Sequence, residues 1–217
     1  AHIFKSWNEG ELHSYLIGIT AGIFREADDL GDGELIDRIK DSAKQKGTGR
    51  WASIEALKQG VDISMITSAC TARIMSNHLD EREKAWQLIH SPAVGLSPDK
   101  ESFAAMVREA LYTGKIIAYA QGFSLMQDAS RLYGWNLDLG KIASIFRAGC
   151  IIQAVFLNDI THAFEAEPKP ENLIFDGFFR IHRRHERPSH SCPLQRSVLP
   201  GRIPRKGGRR QSDPGPA

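Results

Sequence analysis

Cysteine is scarce in this chain of 217 residues: Cys70, Cys150 and Cys192 are widely spaced and odd in number. They fit neither a disulfide framework nor a zinc pattern, which favours a reducing, cytosolic setting. Long apolar runs are also missing. No stretch approaches the ~18–20 residues that a bilayer crossing requires, so no membrane association is expected. The opening AHIFKSWNEG has neither the basic start nor the apolar core of a secretory signal. Hydrophobic residues at 41% and aromatics at 8% are ordinary globular values. They exclude collagen-like, mucin-like and wholly disordered chains.

No charge of one sign dominates, since 28 Lys and Arg face 26 Asp and Glu. The balance is uneven along the chain. Residues 1–180 carry 19 basic and 24 acidic side chains, a net of −5, whereas residues 181–217 carry 9 and 2, a net of +7. That final segment holds six of the ten prolines and four glycines, and no aromatic residue. It cannot bury enough apolar surface to offset its ordering entropy and is read as a disordered basic tail. The predicted folded domain is therefore residues 1–180, an acidic body.

The body reads as helices separated by glycine and proline. Asn8 followed by Glu11 resembles a capping box, and Leu12, Leu16, Ile19 and Ile23 continue at helical spacing to the turn at Gly31–Gly33. A short helix is predicted over Glu34–Ala43, then a glycine loop at Lys46–Arg50. Ile54 and Leu57 mark another helix, closed by Gly60. Further helices are predicted over Ile63–His78 and Asp80–His90, and from Ser97 or Asp99 to Tyr133, where Gly134 ends the run. A single apolar helix is expected over about Gly140–Ile160, and a last short one ends at Phe178 and Phe179. With no sustained two-residue alternation and no fixed repeat, the fold class is all-α.

Isolated motifs say little. KGTGRW is basic and glycine-rich, but no strand precedes it and its spacing is not that of a P-loop. Taken alone, it is a loop between two helices. His2, His13, His78, His90 and His162 show no metal-ligand spacing, and no metal site is expected. No serine lies in a nucleophile elbow. Trp51 and Trp135, each beside glycine at a helix start, read as core anchors.

The stretches taken together are more specific. WNEGELHSYLIGIT (Trp7–Thr20), DSAKQKGTGRW (Asp41–Trp51) and SACTARIMS with Arg73 are followed by ALYTGKIIAYAQGFSLM, GWNLDLGKIASIFRAGCIIQAVFLNDI and ENLIFDGFF. In order and spacing these blocks resemble the C-terminal helical domain of decarboxylating 6-phosphogluconate dehydrogenase, the long form of the pentose phosphate pathway. The resemblance covers residues 1–180, well under half of a complete family member.

That resemblance implies an oxidoreductase acting on 6-phosphogluconate with NADP+, cytoplasmic and homodimeric. In the family the Rossmann domain, which holds most of the NADP, and the catalytic lysine and glutamate all precede the matching segment. No catalytic residue is therefore assigned here, and the chain is expected to be inactive alone. Lys46 matches the phosphate-binding lysine, a compact ammonium suited to a dianion. Thr48 matches a hydroxyl donor to the same phosphate, and Arg73 an arginine whose planar fork can hold two oxygens. The chain departs from the family pattern at Lys44 for glycine, Arg50 for lysine, and SACTAR for EAVFAR.

Two other functions compete with this one: a non-catalytic helical dimerisation scaffold, and nucleic-acid binding through the basic tail. The tail lacks aromatic residues to stack on bases, so nucleic acid is the weaker partner. The tail has a further reading. Arg210–Ala217 can be encoded as CGC CAA TCT GAT CCA GGC CCA GC, which one nucleotide later reads Ala-Asn-Leu-Ile-Gln-Ala-Gln. The resemblance implies a stretch much like ANLxQAQRD near the family's C-terminus, with an arginine and a following histidine that reach the other subunit's site. Residues 181–217 are therefore expected to be an out-of-frame reading of that segment.

Overall fold

Backbone demand sets the helix boundaries. The computed structural model describes residues 1–89, 95 and 99–177. Over these the chain forms α1 (His2–Trp7), α2 (Tyr15–Ile23), α3 (Thr48–Gln59), α4 (Ser64–Ser76), α5 (Leu79–Leu88), α6 (Lys100–Tyr133), α7 (Leu139–Ile145) and α8 (Leu157–Glu165). Two single 3-10 turns, Leu35–Arg38 and Leu173–Phe175, complete the regular structure. Among the described residues only two isolated β-bridges occur, Ser14 with Ala154 and Ala27 with Glu34. The fold is all-α, as the periodicity predicts. The tail at 181–217, the domain boundary at 180, His90 and the Phe178–Phe179 helix end lie outside the described residues.

The spine is α6, roughly 50 Å long at 1.5 Å per residue. Asp99 caps its start, Oδ1 accepting from the N–H groups of Glu101 and Ser102, both at 2.9 Å. Gly134 ends it in the left-handed region at φ 66°, and Trp135 N–H returns to the Ser130 carbonyl at 3.0 Å. Two separate apolar clusters share this helix. The larger joins Ala120 and Phe123 of α6 to Leu139, Ala143, Phe156, Leu157, Ile160 and Phe164 around α7 and α8. The smaller joins Tyr112 of α6 to Trp7, Leu12 and Ile17. Half-buried Ile116 packs against both.

Four local readings change. Asn8 does not cap α2; it closes α1, a helix the sequence pattern did not mark, and its Oδ1 accepts from Ser14 N–H at 3.1 Å. The cap is Ser14, whose Oγ accepts from Ile17 N–H at 3.4 Å. Glu11 pairs instead with Arg108. The Glu34–Ala43 helix shrinks to the 3-10 turn, because residues 41–45 find their partners on α4 and α5. The helix expected over Gly140–Ile160 divides into α7 and α8. Gly149 takes φ 65° between them, and backbone bonds from Tyr15 N to Gln153 O and from Val155 N to His13 O, both 3.0 Å, replace helical ones. Neither Trp51 nor Trp135 is a core anchor: they are 63% and 59% exposed.

Against the middle of α6 lie α3 and α4. Ile66 and Met65 of α4 lie over Gly122 and Gly114 of α6. Gln121 ties the junction, Oε1 accepting from Met65 N–H at 3.0 Å and Nε2 donating to Asp62 Oδ2 at 3.1 Å. Ser64 and Gln121 bond the Asp62 carboxylate and hold its pKa below the ordinary value.

Candidate functional site

Gly47 sets the start of α3 with φ 101°, a left-handed conformation that only glycine adopts without strain. No side chain caps this helix. Its first-turn N–H groups have no acceptor within the helix and carry the positive end of its dipole. Lys46 stands immediately before Gly47 and Thr48 is the first helical residue; both are exposed. Arg50, in the same first turn, adds another exposed cation.

α4 approaches this helix end very closely. A Cβ placed on Gly49 would lie 2.3 Å from Cys70 Sγ, a separation no side chain could keep. Four residues along α3, Ser53 Oγ bonds both the Gly49 carbonyl and Thr67 Oγ1, each at 3.0 Å. Arg73 lies three residues beyond Cys70 on α4.

The segment leading to Lys46 is strapped residue by residue onto α4 and α5. Asp41 forms an ion pair with Arg82, whose guanidinium holds the Asp41 carboxyl below its usual range. Ser42 Oγ bonds Asn77 Oδ1 at 2.8 Å. Ala43 N–H donates to Ser76 Oγ at 3.0 Å, and its carbonyl accepts from Asn77 Nδ2 at 3.0 Å. The Lys44 carbonyl accepts from Arg73 Nη2 at 2.5 Å, and Gln45 Nε2 donates to the Cys70 carbonyl at 2.9 Å.

Lys46, Thr48 and Arg73 therefore belong to one region, built from an uncapped helix end and the strap beside it. Sequence reasoning marked these three but missed the strap. Its polar residues come from positions 25 to 41 apart and leave no local pattern. Chemically the region offers an ammonium, a guanidinium, a hydroxyl and free backbone donors, which together suit an oxyanion of double charge.

Comparison with known proteins gives the same direction. The family profile described as 6-phosphogluconate dehydrogenase, C-terminal domain, matches residues 1–196. The NADP(+)-dependent decarboxylating 6-phosphogluconate dehydrogenase of Bacillus subtilis is 47% identical over 179 residues, which are 82% of this chain and 38% of that protein. The NAD(+)-dependent decarboxylating enzyme of the same organism is also 47% identical, over 180 residues, again 82% and 38%. A solved structure of Plasmodium falciparum 6-phosphogluconate dehydrogenase, described in apo form and in complexes with NADP+ and with 6-phosphogluconate, superposes with a TM-score of 0.80. It is 39% identical, over 85% of this chain and 40% of that one. The chain thus spans about two fifths of the length of the relatives it matches. On this evidence the chain belongs to the 6-phosphogluconate dehydrogenase family, of which it carries the C-terminal helical domain.

Proposed function

We propose that this chain supplies the phosphate-binding wall of a decarboxylating 6-phosphogluconate dehydrogenase, which converts 6-phosphogluconate and NADP+ to ribulose 5-phosphate, carbon dioxide and NADPH. The observation that carries the reading is the uncapped start of α3, with Thr48 at its first position, Lys46 just before its Gly47 cap and the Arg73-bound strap beside it. Lys46 supplies a point charge to the phosphate, Thr48 a hydroxyl donor, and Arg73 a planar fork. Holding the substrate by the end remote from its reacting carbon contributes binding and orientation to a reaction centre elsewhere. The hydride acceptor is NADP+, supported by the name of one relative and the bound cofactor of the structural neighbour. The described residues contain no strand–glycine turn–helix unit to receive its pyrophosphate. The setting proposed is cytoplasmic.

Titration calorimetry with 6-phosphogluconate and with gluconate tests this. The phosphorylated sugar acid should bind, and Lys46→Ala should weaken it by about ten-fold. Equal affinity for gluconate would overturn the reading. The same chain should form no NADPH from the two substrates.

A second reading, homodimerisation, is favoured by large apolar side chains left open: Leu57 at 84%, Leu88 at 80% and Trp86 at 78% exposed. Sedimentation at several concentrations tests it, with a compact monomer throughout as the contrary result.

A further inference from the structure

We propose that Asn77 is the positioning residue of the candidate phosphate site, fixing the Lys46 segment against Arg73 before any ligand arrives. This rests on the phosphate-binding reading above. Between Arg38 and Thr48 the chain has no helix of its own, so the path of Lys46 depends on side chains from elsewhere. Asn77 stands at the C-terminal end of α4 and uses both ends of its amide. Its Oδ1 accepts from Ser42 Oγ at 2.8 Å, while Nδ2 donates to the Ala43 carbonyl at 3.0 Å and to the Arg73 carbonyl at 2.8 Å.

One side chain is thus bonded to two residues of the strap and to the backbone of the arginine that faces it. Ser76 reinforces the link, accepting from Ala43 N–H at 3.0 Å and donating to the same Arg73 carbonyl at 2.8 Å. Only Asn77 reaches Ser42 as well. A strap left loose would have to be ordered when the phosphate binds, at an entropic cost taken from affinity. A strap already fixed spares that cost.

The test compares the chain with its Asn77→Ala, Asn77→Asp and Ser42→Ala variants. Asn77→Asp keeps the acceptor for Ser42 but turns both donations into repulsions between oxygens. Three quantities are read: 6-phosphogluconate affinity by calorimetry, hydrogen exchange of amides 42–47, and the thermal midpoint. Both Asn77 variants should bind about ten-fold more weakly and exchange faster at 42–47, with little change in midpoint. Ser42→Ala removes only the strap's own hydroxyl, leaves α4 intact, and should weaken binding about three-fold.

Unchanged affinity with a loosened strap overturns the proposal. So does weakened binding explained wholly by a lowered midpoint while exchange at 42–47 stays as in the parent. Failure of the unaltered chain to bind 6-phosphogluconate has a separate meaning: it removes the phosphate-site reading and the positioning role with it.

Discussion

The guanidinium of Arg73 and the carbonyl of Lys44, 29 positions apart in sequence, are joined by a 2.5 Å hydrogen bond from Nη2. A guanidinium has five N–H donors in a fixed plane, so one can hold the strap while others face a ligand. An ammonium on a flexible stem cannot serve both directions with the same geometry. Arg73→Lys should therefore behave as more than a conservative change. It should weaken 6-phosphogluconate binding by about ten-fold or more and also speed exchange at amides 42–47. Calorimetry and exchange on the same samples check both; a variant that binds like the parent would count against the dual role.

The close approach of Gly49 to Cys70 makes a steric prediction. Gly49→Ala should destabilise the chain by about 1–2 kcal/mol, because the new methyl must displace the thiol 2.3 Å away. Cys70→Ala added to it removes the obstructing sulfur and should restore most of the loss. Urea unfolding of the two variants against the parent provides the comparison. Additive losses would mean that the contact is not the cause.

Tyr119 is pushed up to about 12, chiefly by burial and secondarily by the nearby Cys150, and its hydroxyl donates to the Ile152 carbonyl at 2.6 Å. A folded value above the ordinary ~10 means that the unfolded chain releases this proton first. The contribution to stability is complete below pH ~10 and is lost as pH rises towards the folded value. In Tyr119→Phe, ultraviolet titration should lose its step near 12, and stability should fall less steeply through the same window. A titration identical to the parent's would show that Tyr119 does not carry that step.

Most of this architecture is legible in the sequence because its helices end on residues with strong local preferences. Gly60 and Gly134 both take the left-handed conformation that ends a helix, and Asp99 caps α6 through its own side chain. The readings that changed depend on distant partners. Asn8 carries a capping pattern, yet its oxygen serves Ser14; the helix through Gly149 breaks because residues 13–15 bond its backbone. The proposed roles of Lys46, Thr48 and Arg73 come from a family pattern, whereas the contacts of Asn77 and Ser76 have no local signature. Those contacts arise only when two segments of the chain meet.

On the acid side, Asp62 is the group to alter. Bonds from Ser64 and Gln121 stabilise its carboxylate, so its folded pKa lies below the ordinary ~3.9. Its contribution is present above that ordinary value and is lost as pH falls through the lower folded one. Asp62→Asn should flatten the decline of the thermal midpoint as pH falls below the ordinary carboxylate value. An unchanged acid profile would assign that decline to other carboxylates.

Residues 181–217 give a prediction for the coding DNA. Sequencing across the codons for Phe179–Arg183 should reveal a one-nucleotide slip whose correction yields the Ala-Asn-Leu-Ile-Gln-Ala-Gln segment, then an arginine and a histidine. A clean frame with no such alternative downstream would establish the basic tail as genuine.

The distribution of packing along α6 has a consequence for cooperativity. Among the described residues α4 and α5 bury no side chain, and α3 buries only Ala56, whereas both apolar clusters lie elsewhere on the long helix. The limb formed by α3–α5 therefore opens at a lower free energy than the rest, as a separate unit of folding. A ligand held on that limb stabilises it by mass action and leaves the two cores almost untouched. Occupancy of the proposed phosphate site should thus steady that limb relative to the two cores, so that the whole chain unfolds more nearly as one.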